Sequence, residues 1–307
     1  MKISIIGAGN VGALSAMRIA QYDLGEIVLV DIARGLARGK ALDLEDCRPI
    51  LKAAYDIKGS DDIENIKGSD IVVITAGLAR KPGMTREELL AKNALILREV
   101  CLNIRRLAAQ AVVIVVTNPL DLLTYFALKA TGFPRHKVVG MGISLDGSRF
   151  ANLVAQELGL KPQDIEALVI GAHGEGMLPL ARHTKVKGAG LDALLSKEKV
   201  DALVKRTVAR GAEIVSYLGS GSAFFAPSAA IAEMVKAIAL DEKKVLGGCA
   251  YLEGEYGISG ICIGVPIRLG KEGIEKVIEL DLSKEEQEAL LNSAGSIRDL
   301  IRQLPLS

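Results

Sequence analysis

The chain has 307 residues, half of them apolar, and its 38 basic residues are balanced by 37 acidic ones. Without a basic excess or a polybasic run with interleaved aromatic residues, binding to nucleic acid or to an acidic membrane surface is not expected. The sequence lacks an uncharged apolar stretch of about 18 residues, which a membrane helix needs, and its start, MKISIIGAGN, does not fit a signal peptide. We therefore expect a cytoplasmic protein, whose four cysteines are buried free thiols.

Short β-branched runs alternate with helical patterns in the first half of the chain. Continuous apolar runs are typical of parallel strands that are buried on both faces. The predicted strands are ISIIG (3–7), EIVLVD (26–31), a short strand near 54–58, DIVVITAG (70–77), AVVIVVTNP (111–119) and KVVGM (137–141). Helical patterns such as NVGALSAMRIAQ lie between them, so residues 1–141 are predicted to form a doubly wound α/β sheet, the Rossmann fold.

The pattern changes after residue 141, where helices and strands are mixed. We expect a second unit of the α+β class over residues 142–307, packed against the first with a cleft between them. Its predicted elements are a helix from Leu145, an apolar strand DIEALVIGAHGEG (164–176), helices over about 195–218 and 227–239, strands KVLGGCAYL and GICIGVPIRL, and a terminal helix from 283.

A glycine-rich loop follows the first predicted strand. Gly7, Gly9 and Gly12 have the G-x-G-x-x-G spacing, between a strand and the start of a helix. The first glycine permits a tight turn, the second lets a pyrophosphate approach the backbone, and the third lets the helix pack on the strand. Free amides at the helix start bind phosphate. Glycines that merely turn a strand into a helix are the alternative explanation of this spacing.

Asp31 favours the functional explanation. It ends the second strand, where a carboxylate can accept hydrogen bonds from the adenine ribose and repel a 2′-phosphate. We therefore predict that NAD is the cofactor and is preferred to NADP, although Arg34 lies close by. The predicted NAD-binding residues of the loop and its surroundings are Gly7, Ala8, Gly9, Asn10, Val11, Gly12 and Asp31.

Two further stretches end strands at the edge of the sheet where ligands of such folds bind. They are TAG, with Thr75, Ala76 and Gly77, and VTNP, with Val116 and Asn118. All five are predicted to line the cofactor site. Asn118 precedes a proline and could serve only as a residue that initiates a helix, or its amide could meet the nicotinamide or the substrate.

The candidate base is a histidine. His173 is flanked by glycines at the end of a predicted strand, whereas His136 and His183 stand beside basic residues and are expected to be exposed. A histidine can take a hydroxyl proton near neutral pH. Asp146 and Arg149, three residues apart on one helical face, offer an orienting carboxylate and a cation, although a surface ion pair would have the same spacing.

Together these motifs resemble the lactate/malate dehydrogenase family. GAGNVG, Asp31, RKPGMTR, TNPLD, LDGSR and GAHGEGMLP occur in that family's order and spacing over essentially the whole chain. The resemblance is greatest to its malate dehydrogenases of the lactate-dehydrogenase-like type. It implies a reversible, NAD-dependent oxidation of a dicarboxylate 2-hydroxy acid, without a metal, by a homotetramer or a dimer.

The resemblance also implies roles for individual residues. His173 would be the proton acceptor, Asp146 the carboxylate that orients it, and Arg149 the group that binds the C1 carboxylate of the substrate. Arg86 would polarise the reacting carbonyl, and Arg80 would occupy the specificity position of a mobile lid. The asparagines that would line the cofactor and substrate site are Asn93 and Asn118.

Three other functions are conceivable on the sequence alone. A dinucleotide-dependent glycosidase on a related fold would be expected to need a metal site, and the sequence has no evident Cys/His cluster. A lactate or other 2-hydroxyacid dehydrogenase would share most of these residues, and residue 80 distinguishes it, because lactate dehydrogenases typically have glutamine there. A non-catalytic NAD-binding sensor would keep the fold, but it has no need to retain His173, Asp146, Arg149 and Arg86 together.

Overall fold

The computed structural model describes residues 1–78, 85–219, 221–302 and 304. The predictions for Arg80 and the lid turn around it lie outside these residues, and so does the side chain of Arg86. The helices of the described ranges are α1 (Asn10–Ala20), α2 (Leu36–Leu51), α3 (Arg86–Leu107), α4 (Leu120–Thr131), α5 (Gly142–Leu158), α6 (Lys197–Leu218), α7 (Phe225–Ala239) and α8 (Lys284–Ile301).

The strands are short in the first half of the chain and longer towards its end. They are β1 (Lys2–Ile6), β2 (Glu26–Val30), β3 (Asp56–Ser60), β4 (Ile71–Ile74), β5 (Val112–Val115), β6 (Val138–Gly140), β7 (Ile165–Glu166), β8 (Val169–Gly171), β9 (Met177–Pro179), β10 (Lys185–Val186), β11 (Ala189–Gly190), β12 (Lys244–Glu253), β13 (Ser259–Gly270) and β14 (Gly273–Val277).

The first six strands form a parallel sheet in the order β3-β2-β1-β4-β5-β6. This is the strand order of a dinucleotide-binding fold, and it confirms the predicted α/β class. The strands are buried on both faces, as continuous apolar sequence predicts: Ile3 and Ile5 of β1 are fully buried, as are all residues of β4. The order reverses between β1 and β4, so the crevice for a ligand opens beyond their carboxyl ends.

The sheet continues into the second half of the chain. Cys249 of β12 pairs antiparallel with Gly140 of β6, and the order then runs β12-β13-β8-β9, with β14 along β13. A separate sheet contains β11, β10 and β7. The two halves therefore share one sheet, which holds the loop after β8 close to the crevice of the parallel half.

A capping box begins α3. The side chain of Thr85 accepts a hydrogen bond from the Glu88 amide, and the Glu88 side chain accepts one from the Thr85 amide. This capping box satisfies two amides that the helix itself leaves free.

Other predicted boundaries were wrong. The run DIEALVIGAHGEG is not one strand: β7 lies in the small sheet and β8 in the large one. The helix predicted from Leu145 begins at Gly142, and the strand near 54–58 begins at Asp56. His136 and His183 are half-buried rather than exposed, and Cys47 is half-buried while the other three cysteines are buried.

None of the helices in the described ranges combines the length and the apolar character that crossing a membrane requires.

Candidate active site

The glycine loop between β1 and α1 has the tight packing that its sequence predicts. Gly7 has φ +109°, and a Cβ on Gly12 would lie 1.8 Å from the carbonyl oxygen of Gly7, so helix and strand approach too closely for any side chain there. A Cβ on Gly9, in contrast, would point into open space among the described residues. The backbone at Gly9 is thus accessible to a ligand, as the predicted pyrophosphate contact requires.

The start of α1 leaves its first amides available. Gly9 is the N-terminal cap residue, and among the described residues no side chain caps the helix there. The exposed Asn10 and half-buried Val11 follow it. Free amides at a helix start carry a partial positive charge and bind phosphate groups. The residues of this loop therefore fit a dinucleotide.

Asp31 lies at the end of β2 and braces the glycine loop from the side. Its Oδ2 accepts a hydrogen bond from the Ala8 amide at 2.6 Å, and its Oδ1 accepts one from the Ala33 amide at 2.8 Å. The side chain of Lys40 donates to the Ala8 carbonyl from the same side. The carboxylate is half-buried, so it holds the loop in shape while it remains accessible to a ribose.

The residues that follow β4 lie beside this loop. Thr75 donates from Oγ1 to the carbonyl of Gly7 at 2.9 Å, and the Ala76 amide donates to the Ile6 carbonyl. A Cβ on Gly77 would lie 2.4 Å from Cγ2 of Thr117. Thr75 thus supports the loop by its hydrogen bond, whereas Gly77 is exposed and packs too closely on Thr117 for a side chain.

Asn93 ties the two strand ends together. It is 1% exposed, its Oδ1 accepts from the Leu78 amide at 2.8 Å, and its Nδ2 donates to the carbonyls of Leu78 and Asn118. These bonds use both donors of the amide, so Asn93 positions the backbone at Asn118. Asn118 itself is exposed, and Val116, the residue after β5, is buried.

The second half of the chain brings the three other candidates together. Asp146 is fully buried on α5, and its Oδ2 lies 2.6 Å from Nδ1 of His173 in the loop after β8. The other oxygen of Asp146, Oδ1, accepts from Nη1 of Arg149 at 3.1 Å. The pair predicted from three-residue spacing is therefore not a surface ion pair, because one buried carboxylate joins the imidazole and the guanidinium.

Arg149 has unused hydrogen-bonding capacity. Its side chain is 11% exposed, and its Nε is buried without a hydrogen-bond partner in the described part of the chain. Gly211 of α6 packs beside the guanidinium, where a Cβ would lie 3.5 Å from Nη1. A planar guanidinium with free donors suits the bidentate binding of a carboxylate.

The surroundings of His173 favour its protonated form. Burial by itself would lower the pKa of His173, but the charge and the hydrogen bond of Asp146, together with the charge of Asp121, outweigh it and the repulsion of Arg149. The pKa of His173 is therefore raised above its usual 6.5. A base whose proton affinity is tuned by a carboxylate partner is typical of catalytic sites.

Sequence reasoning missed two residues that hold His173. Asp121 of α4 accepts a hydrogen bond from the His173 amide at 2.8 Å. Gly142 starts α5, and a Cβ there would lie 2.9 Å from Cβ of His173 and equally close to Cδ2 of Leu120. Asp121 was visible in the motif TNPLD, but nothing local in the sequence indicates its distant partner.

Within the described ranges there is no cluster of three or more His, Cys, Asp or Glu residues that could hold a metal ion.

Comparison with known proteins agrees with this geometry. Residues 1–140 match the family model of the lactate/malate dehydrogenase NAD binding domain, and residues 143–304 match that of the alpha/beta C-terminal domain. The malate dehydrogenase of Methanosarcina barkeri is 50% identical over 305 residues, which cover 99% of each chain.

Solved structures are similar as well. The malate dehydrogenase of Cryptosporidium parvum superposes with a TM-score of 0.96 at 40% identity, covering 99% of this chain and 98% of that one. The lactate dehydrogenase of the same organism, solved with lactic acid and nicotinamide adenine dinucleotide, has a TM-score of 0.95 at 37% identity, covering 99% and 97%. By family models and full-length similarity, this chain belongs to the lactate/malate dehydrogenase family.

Proposed function

We propose that this chain is an NAD-dependent malate dehydrogenase, which interconverts (S)-malate and oxaloacetate. The observation that carries the proposal is the buried carboxylate of Asp146, which contacts both His173 and Arg149. A base for the hydroxyl proton and a cation for the adjacent carboxylate are thereby aligned by one group. That arrangement suits the oxidation of a 2-hydroxy acid, whose hydroxyl and carboxylate are on neighbouring atoms.

The proton is handled by His173. Because an ionised carboxylate can only accept a hydrogen bond, Nδ1 of His173 carries its proton towards Asp146, and Nε2 is left free to take the hydroxyl proton of malate. Asp146 stabilises the imidazolium that forms. Bound NAD would supply the acceptor for the hydride of the carbinol carbon.

The other predicted residues bind and orient the reactants. Arg149 binds the C1 carboxylate, and Arg86 polarises the reacting carbonyl. The backbone between Gly7 and Gly12 binds the pyrophosphate, and Asp31 the adenine ribose. We propose that residues 1–141 hold NAD and that residues 142–307 supply the base. The shared sheet fixes the position of one set of residues relative to the other.

Arg80 selects the dicarboxylate in this proposal, because its guanidinium pairs with the second carboxylate of oxaloacetate. The relatives named malate dehydrogenase support this substrate. The fold alone does not decide between malate and lactate as the substrate, since a lactate dehydrogenase superposes almost as well as the malate dehydrogenases.

We also propose a cytoplasmic setting, a role in the tricarboxylic acid cycle, and a homotetrameric assembly. Static light scattering of the purified protein distinguishes the tetramer from the alternative dimer by mass.

The test of the function follows NADH oxidation by absorbance with oxaloacetate and with pyruvate at equal concentrations. Rapid oxidation with oxaloacetate and little with pyruvate is the expected result. Faster reaction with pyruvate would assign the chain to the lactate dehydrogenases. No reaction with either substrate would favour the alternative of a non-catalytic NAD-binding sensor.

A further inference from the structure

A second buried carboxylate lies next to His173. Asp121, in the first turn of α4, is 5% exposed, and its Oδ2 accepts the His173 amide at 2.8 Å. Its partner oxygen, Oδ1, is buried without a hydrogen-bond partner among the described residues. His173 is thus held by two acids from two helices, one at its ring and one at its backbone.

The chemistry of Asp121 exceeds what its backbone contact needs. A backbone amide is satisfied by any neutral acceptor, whereas a buried carboxylate whose second oxygen has at most the weak thiol donor of Cys249 beside it is costly to keep. Such a cost indicates that the charge itself has a use. The positive charge that it can serve is the imidazolium of His173, whose backbone amide it binds. No salt bridge joins Asp121 to a lysine or arginine in the described part of the chain.

The charged and titratable groups around His173 can be assigned to their elements. Asp146 and Arg149 face it from α5, Asp121 faces it from α4, and Glu175 belongs to its own loop. Cys249 of β12 lies beside Asp121 rather than beside the ring. Asp146 and Asp121 favour the protonated ring, and Arg149 opposes it.

The interaction between Asp121 and His173 acts in both directions. Burial raises the pKa of Asp121, while the Cys249 thiol, the charge of His173 and the His173 amide all act to lower it. A proton on the imidazole therefore favours the ionised form of Asp121, and the ionised Asp121 favours the proton on the imidazole.

We propose that Asp121 is a positioning residue for the base: it holds the His173 backbone, and its charge stabilises the protonated imidazole that forms when substrate is oxidised. This inference rests on the proposed function, in which His173 takes its proton from the substrate hydroxyl. It predicts a property of the unliganded protein, however, which can be measured without any substrate.

The test compares Asp121→Asn with Asp299→Asn by NMR. Asparagine keeps an acceptor oxygen for the His173 amide and removes the charge, whereas Asp299 is an exposed acid on α8 whose loss is a matched change in net charge. The chain has three histidines, so the imidazole signal of His173 is assigned by its disappearance in His173→Asn. We expect Asp121→Asn to lower the titration midpoint of His173 by about 1 pH unit, and Asp299→Asn to leave it unchanged.

The pH profile of kcat/KM for oxaloacetate should move to lower pH with the NMR midpoint. An unmoved midpoint in folded Asp121→Asn would overturn the proposal. Asp121→Glu is the second variant, which keeps the charge, and its midpoint should stay near that of the unsubstituted protein. If the titration midpoint of His173 falls by about 1 pH unit in Asp121→Glu as well, the proposal is overturned. This outcome can be measured even if Asp121→Asn does not fold. A shifted midpoint in a protein inactive towards oxaloacetate would support the role of Asp121 and reject the proposed function.

Discussion

Nδ1 of His173 and Oδ2 of Asp146 are 2.6 Å apart, although the two residues are separated by 27 positions in the chain. The bond fixes the tautomer of the imidazole, since the carboxylate has no proton to offer. It also fixes the direction of the ring, because Asp146 is fully buried on α5 and cannot follow a moving partner. The base of the proposed reaction is therefore preorganised before substrate binds.

Removal of the base should separate catalysis from cofactor binding. We expect His173→Asn to retain NADH affinity, since the glycine loop lies in the other half of the chain, and to lower kcat for oxaloacetate by about 10²- to 10⁴-fold. Titration of NADH fluorescence and steady-state rates measure the two effects. Unchanged turnover would remove His173 from the mechanism.

Asp146→Asn should lower kcat by up to about 10⁴-fold, because an amide can present an N–H to Nδ1 and select the wrong tautomer. It should also raise KM, since Asp146 orients Arg149. Glu157→Gln, which removes an acid from the same helix and its ion pair with Lys199, is the control and should change neither constant. Equal rates for Asp146→Asn and the control would contradict the role assigned to the pair.

The pH dependence should have a definite direction. Oxaloacetate reduction needs the protonated His173, so kcat/KM should be high at low pH and fall as pH rises through the raised pKa of His173. The same group affects stability: its stabilisation is fully present below its unfolded pKa near 6.5 and is lost as pH rises through the folded value. Urea midpoints of the protein and of His173→Asn, measured from pH 6 to about pH 9, should converge at high pH.

Cofactor preference should depend on Asp31. We expect Asp31→Ser to weaken the preference for NAD over NADP by about 10- to 100-fold, because hydrogen bonds to the ribose and repulsion of a 2′-phosphate disappear together. Since Asp31 also accepts from the Ala8 amide, Asp31→Asn separates charge from loop shape. The ratio of kcat/KM for NADH and NADPH is the measurement.

Asp61→Asn is a nearby control for that experiment, as it removes an acid that pairs with exposed Arg38 just after β3. Its NADH-to-NADPH ratio should equal that of the unsubstituted protein. If Asp31→Ser also keeps this ratio, the carboxylate does not select the cofactor.

The parts of the fold that the sequence predicted are those with a local cause. Continuous apolar runs predicted the parallel strands, and the glycine spacing predicted the close packing of helix and strand after β1. The run from 164 to 176 was misassigned because its apolar residues belong to two strands in different sheets. The spacing of apolar residues does not show where one strand ends and the next begins to pair with another sheet. Helix α2 was not among the predicted elements, since its outer face carries exposed apolar side chains such as Leu42 and Ile50, which blur the helical period.

Site residues were predictable where a motif carried them. The contact of Asp121 with His173 spans 52 residues, and that of His183 with the carbonyl of Asp281 spans 98, so neither has a signal in local spacing. Asn93 was predicted to line the site, and both N–H donors of its amide are used in holding backbone carbonyls. Which of a motif's polar atoms stay free is decided by tertiary packing.

Two glycines of α5 should respond in opposite ways to the same substitution. Gly142→Ala places a Cβ 2.9 Å from Cβ of His173, so we expect a displaced ring and a loss of kcat of at least about tenfold. Among the described residues, Gly147→Ala meets only the Ala167 carbonyl at 3.7 Å, an ordinary contact, and should raise the free energy of unfolding by about 0.5–1 kcal/mol with activity unchanged. Urea unfolding and steady-state rates test both. Similar values of kcat in the two variants would show that the packing around His173 tolerates a methyl group at residue 142.

Arg80 should decide between substrates. In the proposed function Arg149 binds the carboxylate that all 2-hydroxy acids share and Arg86 acts at the reacting oxygen, so neither would separate malate from lactate. The guanidinium of Arg80 is always charged and offers a planar pair of donors to the second carboxylate of oxaloacetate. With pyruvate, a methyl group would leave that cation desolvated and unpaired, at a cost of about 2–5 kcal/mol, or roughly 30- to several-thousand-fold in rate.

We therefore expect kcat/KM to favour oxaloacetate over pyruvate by at least ~10³. Arg80→Gln should lower the value for oxaloacetate strongly and raise that for pyruvate, because glutamine removes the unpaired charge as well as the attraction. Lys81→Ala, which removes a cation from the adjacent position, is the matched control and should leave the ratio unchanged. If Arg80→Gln leaves the ratio unchanged too, the choice of substrate is made by residues other than Arg80.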